Sequence, residues 1–240
     1  MKQTLYLSTA YLDDLMVRMA HHSTAIEGNS LTQGETKSVL IDGYVPRAID
    51  LRELNEVLNY KAFTKEMVRF LKEEREVNGE FIKEIHSILC RETIESVPGK
   101  FKTQPNMVIG ADFTPSPPYR VPMDIEQWRQ DLDYQLKNAA DARTMVEAIC
   151  RQHFRFERIH PFPDGNGRVG RALMVYSALQ QKLPPIVIPV DEKKKYINFL
   201  NTENLNGFVE FCLALQQKEV ERIKILADER DKVLEIYTKE

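Results

Sequence analysis

Hydrophobic positions along this chain recur mostly at helical spacing. Leu12, Leu15, Met16 and Met19 fall on one face of a helix that Gly28 and Asn29 should stop near Glu27. Thr32 with Glu35 three residues on reads as a capping box opening a second, short helix. Leu51, Leu54 and Leu58 begin a longer one reaching about Lys72, and Phe81, Ile85, His86 and Leu89 mark another after Asn78-Gly79. Ile125, Trp128 and Leu132 restart the pattern. Met145, Val146, Ile149 and His153 carry it to His160-Pro161, where the proline forces a loop. A helix resumes from about Arg168 to Gln181 and ends at Pro184-Pro185, and two more are predicted over Tyr196 to Leu205 and Phe208 to about Tyr237.

One stretch breaks the pattern. Lys100 to Pro122 is rich in proline, and Met107, Val108 and Ile109 followed by Gly110 form the only β-leaning run, which predicts a small hairpin or flap. The expected fold class is mainly α with this single flap. Three regions follow: 1–50 as an N-terminal region, 51–215 as the core, and 216–240 as a C-terminal helix packed on it or extending from it.

At 240 residues, 42% hydrophobic and 29% charged, the chain can bury a core and is neither a disordered nor a disulfide-scaffold composition. A formal charge of -3 argues against nucleic acid as a partner. No run approaches the ~20 apolar residues of a membrane span, and the first fifteen residues carry acids where a secretory signal needs an apolar core, so a cytoplasmic protein is expected. Cys90, Cys150 and Cys212 are scattered and read as buried thiols. His21, His22, His86 and His153 lack metal-ligand spacing and are expected to be structural, with His153 packing beneath whatever His160 does.

The chemistry is concentrated in His160-Pro-Phe-Pro-Asp-Gly-Asn-Gly-Arg-Val-Gly-Arg171. Gly165, Asn166 and Gly167 sit just before a helix, so their backbone N–H groups can converge on an anion at its positive end. Arg168 and Arg171, three apart, add two guanidinium forks suited to a polyphosphate. Asp164 would repel that anion unless a hard cation stood between them, and Mg²⁺ is the natural bridge, with Mn²⁺ able to substitute. His160 is placed to take a proton from an attacking hydroxyl. The tetrapeptide DGNG alone is common turn chemistry.

The whole string resembles the signature of the Fic family, HxFx(D/E)GNGRxxR, at every specified position. That resemblance implies a helical core and transfer of AMP from ATP to a Ser, Thr or Tyr hydroxyl of a target protein. It implies His160 as base, Asp164 on Mg²⁺, and ATP held by the segment Gly165, Asn166, Gly167, Arg168, Val169, Gly170 and Arg171, the last on the γ-phosphate. Upstream, Ser23-Thr-Ala-Ile-Glu27-Gly28 resembles the family's inhibitory motif (S/T)xxxE(G/N), on a helix that precedes the core. Glu27 would pair with Arg171 in place of the γ-phosphate, supported by Ser23 one turn earlier. Met107 to Gly110 resemble the flap along which a target would pair. Lys195, Tyr196 and Asn204 resemble the nucleoside-binding stretch, Tyr196 and Asn204 lying two helical turns apart. Self-modification is expected, and the apolar helix faces leave room for a homo-oligomer. Two alternatives stay open: removal of AMP from a modified protein with Glu27 orienting water, or an ATP-dependent interaction protein without turnover.

Overall fold

A computed structural model describes residues 2–94, 97–108, 113–228 and 230–239 of the chain. It begins with β1 (Lys2–Leu7) and α1 (Thr9–Ile26), whose first turn is capped by Ser8 accepting the Tyr11 N–H. Glu27 and Gly28 end α1, Gly28 at a φ of 110° that suits glycine alone. The Thr32/Glu35 capping box opens α2 (Gln33–Lys37), which passes into a π-helical turn over Ser38–Asp42. Asp50 caps α3 (Leu51–Lys72) and Asn78 caps α4 (Gly79–Leu89). Then come α5 (Val121–Lys137), α6 (Ala142–Ile159), α7 (Asn166–Gln180), α8 (Lys193–Thr202), α9 (Leu205–Ile225) and β2 (Leu234–Lys239).

Packing follows from apolar distribution. The α7 segment Ala172-Leu-Met-Val-Tyr-Ser-Ala-Leu179 is apolar on every side, and such a helix must be enclosed. Its residues from Arg168 to Leu179 are all buried, among α1, α3, α4 and α6. Helices α5 and α9 cover the outer side of α6, where Trp128 donates its indole N–H to the Gln152 carbonyl at 2.7 Å. The end of the His160–Arg171 segment is therefore the start of this enclosed helix.

The mainly α expectation holds, and the strands lie elsewhere than predicted. The described residues between 100 and 120 carry no strand: Met107 is exposed, Val108 half-buried, and Ile109 and Gly110 lie outside the described residues. The two-stranded antiparallel sheet pairs β1 with β2, Leu7 opposite Leu234 and Leu5 opposite Ile236. The last helix correspondingly stops at Ile225 instead of running to Tyr237. Ser8 Oγ donates to the Leu226 carbonyl at 2.6 Å, capping the helix end, and Ile236, Tyr237 and Thr238 are β-prone residues. Among the described residues no helix is long and apolar enough to cross a membrane.

Candidate functional site

The loop between α6 and α7 is fixed by its own side chains. His160 ends α6 in the left-handed region (φ 48°, ψ 61°), and Pro161 cannot continue a helix. Asn166 then clamps the loop: its Oδ1 accepts the Phe162 N–H and its Nδ2 donates to the Phe162 carbonyl, both at 2.8 Å. Phe162 is fully buried and stacks on His86 at 3.8 Å between centroids. His86 accepts the Gly99 N–H at Nδ1, which makes Nε2 the donor to the Asp164 carbonyl at 3.1 Å. Burial pushes His86 down to about 4, so the ring stays neutral in that role. Gly165, at φ 73°, lies so close to the Cys90 thiol that any Cβ would collide with it. On the opposite side Lys102 donates to the Ile159 carbonyl at the end of α6 and to Asn106, whose amide bonds the Phe162 carbonyl.

At the N-terminus of α7 two guanidiniums meet one carboxylate. Glu27 Oε1 lies 2.6 Å from Arg171 Nη2, and Glu27 Oε2 lies 2.9 Å from Arg168 Nε. Arg171 also donates to Ser23 Oγ at 2.8 Å and to the Ser23 carbonyl at 2.9 Å. Arg168 is fully buried, donating to Thr93 Oγ1 at 3.1 Å, with Glu56 and Asp164 carboxylates at 3.8 and 3.9 Å. Burial is the largest influence and would lower both arginines; the groups around them, Glu27 foremost, together outweigh it, so each is raised. A Cβ on Gly167 would stand 2.7 Å from Glu27 Oε1, so glycine there is what lets the carboxylate sit against the helix start.

His160 Nδ1 lies 3.2 Å from the Glu157 carbonyl. Burial pushes the ring down to about 4, and a neutral ring donating from Nδ1 leaves Nε2 as an acceptor. Below it, Glu157 is pushed up to about 7 by burial, with Arg171 pulling it down and Glu27 pushing it up, and its Oε1 has no hydrogen-bond partner. His153, which burial lowers to about 3, shares a 2.9 Å hydrogen bond with the Tyr196 hydroxyl.

Not every residue of the sequence-derived set lines this site. The Val169 N–H is spent on the Gly165 carbonyl and its side chain is wholly in the core. Gly170 packs so tightly on α6 that a Cβ would strike Glu157. These two face away from the anion seat. Tyr196 is buried beside His153 instead of lining an open base pocket. Asn204 does not share a helix with it, because Glu203 turns left-handed, ends α8, and leaves Asn204 capping α9 through the Gly207 N–H. Lys195 is exposed, its ammonium over the Phe211 ring. Asp164, half-exposed, faces Arg52 at 3.5 Å. Sequence reasoning missed Glu157, Thr93, Arg52, Glu56 and Tyr60. Glu157, one turn before His160, was the one findable by spacing.

No group of three or more His, Cys, Asp or Glu side chains able to hold a metal occurs among the described residues. Mg²⁺ still fits, because it is commonly held by one or two carboxylates plus phosphate oxygens, and Asp164 supplies one accessible carboxylate beside the cradle.

A helical enclosure thus brings together a left-handed histidine, a glycine-rich helix start and two buried arginines within the HxFxDGNGRxxR segment. Residues 76–178 match the Fic/DOC family. Protein adenylyltransferase fic-1 of Caenorhabditis briggsae is 30% identical over 211 residues, which cover 84% of this chain and 40% of that protein. Protein adenylyltransferase Fic of Drosophila virilis is 27% identical over 218 residues, 90% of this chain and 41% of that one. The chain thus spans well under half the length of these relatives. A solved fragment of Fic-1 from C. elegans superposes with a TM-score of 0.74 at 27% identity, covering 92% of this chain and 66% of that one. A Fic domain containing signaling protein from Bacteroides thetaiotaomicron gives 0.80 at 22% identity, covering 95% and 90%, and shows the fold.

Proposed function

We propose that this chain moves AMP from ATP to a Ser, Thr or Tyr hydroxyl of a protein, and that Glu27 restrains the reaction. One observation carries the reading: a single carboxylate bridges Arg168 and Arg171 at the start of α7, where a polyphosphate would otherwise be held. The names of the relatives support the same chemistry.

The target hydroxyl oxygen attacks the α-phosphorus, its proton passes to His160 Nε2, and the bond from the α-phosphorus to the bridging oxygen breaks, releasing pyrophosphate. The Glu157 carbonyl holds the ring in the tautomer this needs. Asp164 would hold Mg²⁺ or Mn²⁺, which supplies neutralisation of phosphate charge. Backbone N–H groups of Asn166, Gly167 and Arg168, unpaired within their own helix as first-turn donors, would cradle phosphate oxygens. Arg171 would take the γ-phosphate, the role Glu27 blocks while the two are paired. Lys102 and Asn106 lay the segment before the exposed Met107 onto this loop, which supports docking of the target beside Met107.

The test is transfer from α-labelled ATP with Mg²⁺ to a lysate and to the chain itself. Label that rises in Glu27→Gly and vanishes in Glu27→Gly/His160→Ala is expected. No label in any lane would overturn the transferase reading.

A further inference from the structure

Glu27 reaches both arginines only while the chain around it stays in place, and one face of α3 holds that chain on both sides. Before Glu27, the Tyr60 hydroxyl donates to Ser23 Oγ at 2.6 Å, the same oxygen that accepts from Arg171. Tyr60 is almost wholly buried. After Glu27, Asn29 Nδ2 donates to Glu56 Oε2 and to the Glu53 carbonyl, each at 3.0 Å. Ser30 then gives its N–H and its hydroxyl to the two oxygens of Glu53, both at 2.7 Å. Glu53, Glu56 and Tyr60 are spaced three and four apart and so share one face. Between these two holds the chain has a positive-φ glycine, Gly28, and three turn hydrogen bonds from Glu27, Gly28 and Asn29 back to Thr24 and Ala25.

We infer that this face of α3 sets the strength of the Glu27 restraint, with Tyr60 and Glu53 as the residues that hold the inhibitory segment without touching Glu27 or the anion seat. The inference rests on the reading of Glu27 as a restraint. It follows that a signal acting on α3, by moving its first three turns relative to α1, would release the site with Glu27 itself intact. Glu56 belongs to both systems, since it also stands near Arg168, and for that reason the test leaves it alone.

The test compares four proteins: unaltered, Tyr60→Phe/Glu53→Ala, Glu27→Gly, and all three substitutions together. Hydrogen exchange is followed at the amides of Glu27, Gly28 and Asn29 and along α7, and AMP transfer is measured in parallel. Loss of a hydrogen bond of this kind shifts an opening equilibrium roughly five- to tenfold. Exchange at Glu27 to Asn29 should therefore speed by at least that factor in the double variant while α7 is unchanged, and transfer should rise toward the Glu27→Gly rate. The triple variant should be no faster than Glu27→Gly. Ser30→Ala, which removes one hydroxyl from the half-exposed end, should show a smaller change in the same direction. Unchanged exchange at these amides, equal acceleration along α7, or a triple variant faster than Glu27→Gly would overturn the inference. A Glu27→Gly protein with no gain over the unaltered one would sink the restrained-transferase reading instead, and the exchange result would still decide whether α3 holds the segment.

Discussion

Replacing Glu27 by Gln keeps the side-chain length and removes the charge that two buried guanidiniums face. The Arg168 side chain is 0% exposed and that of Arg171 8%, whereas Glu27 is 28% exposed. Breaking a buried ion pair by removing one partner costs about 3–5 kcal/mol. Water reaching Glu27 screens part of that, and Arg168 keeps Glu56 and Asp164 within 4 Å, so about 2 kcal/mol is expected here. For a chain of this size that is a fall in Tm of about 4–8 °C. ATP or inorganic triphosphate should reverse the fall, because either supplies the missing negative charge and stabilises the folded state by binding it. Thermal unfolding followed by circular dichroism, with and without triphosphate, measures both quantities. A Gln variant that melts at or above the unaltered protein without ligand would refute the electrostatic dependence of Arg168 and Arg171 on Glu27.

Other outcomes follow from the same geometry. Glu157 has its folded pKa raised from 4.5 to about 7, so stability falls as pH rises from about 4.5 to 7 and the loss is complete above that; Glu157→Gln should raise Tm at pH 8 and change little at pH 5, and a lower Tm at pH 8 would contradict this. His86 and His160 are depressed to about 4 and His153 to about 3. Their contribution is complete above the unfolded value near 6.5 and is lost as pH falls toward 4, about 2 kcal/mol each at pH 5. Urea unfolding at pH 7 and pH 5 should therefore show a steep acid loss that His86→Gln reduces. Gly165→Ala forces a left-handed alanine against Cys90 and should cost about 3 kcal/mol, part of it recovered in Gly165→Ala/Cys90→Ala; full additivity in that double variant would rule out the contact as the cause.

Much of this site was legible because it is local. The string from His160 to Arg171 is a loop and a first helical turn, and the four-residue step from Ser23 to Glu27 puts both on one helical face, while the meeting of that face with Arg171 came from the resemblance to the family's inhibitory motif. What spacing does not carry is pairing between distant segments. The β1–β2 sheet joins residues at opposite ends of the chain, and Ile236-Tyr237 read as the tail of a helix until Leu5 and Thr4 are known to lie opposite them. Asn204 was misplaced because a single left-handed residue, Glu203, resets the helix phase, and a glutamate gives no warning of that. Val169 and Gly170 belong to the signature by position but to the core by direction, and direction follows from α7 being enclosed on all sides. Tyr60 and Glu53 look like ordinary members of a helix face until the partner segment is present.

The enclosure of α7 has an evolutionary consequence. Phe162, Asn166, Arg168 and the glycines that precede it are held by packing and loop hydrogen bonds, so selection for a folded chain preserves them whether or not any turnover occurs. His160, with a partly exposed side chain, and Glu27, whose loss costs about 2 kcal/mol, are the members that can change while the protein stays folded. In a lineage abandoning the reaction, the first changes should therefore fall at these two positions while the rest of the string persists as a relic of the fold.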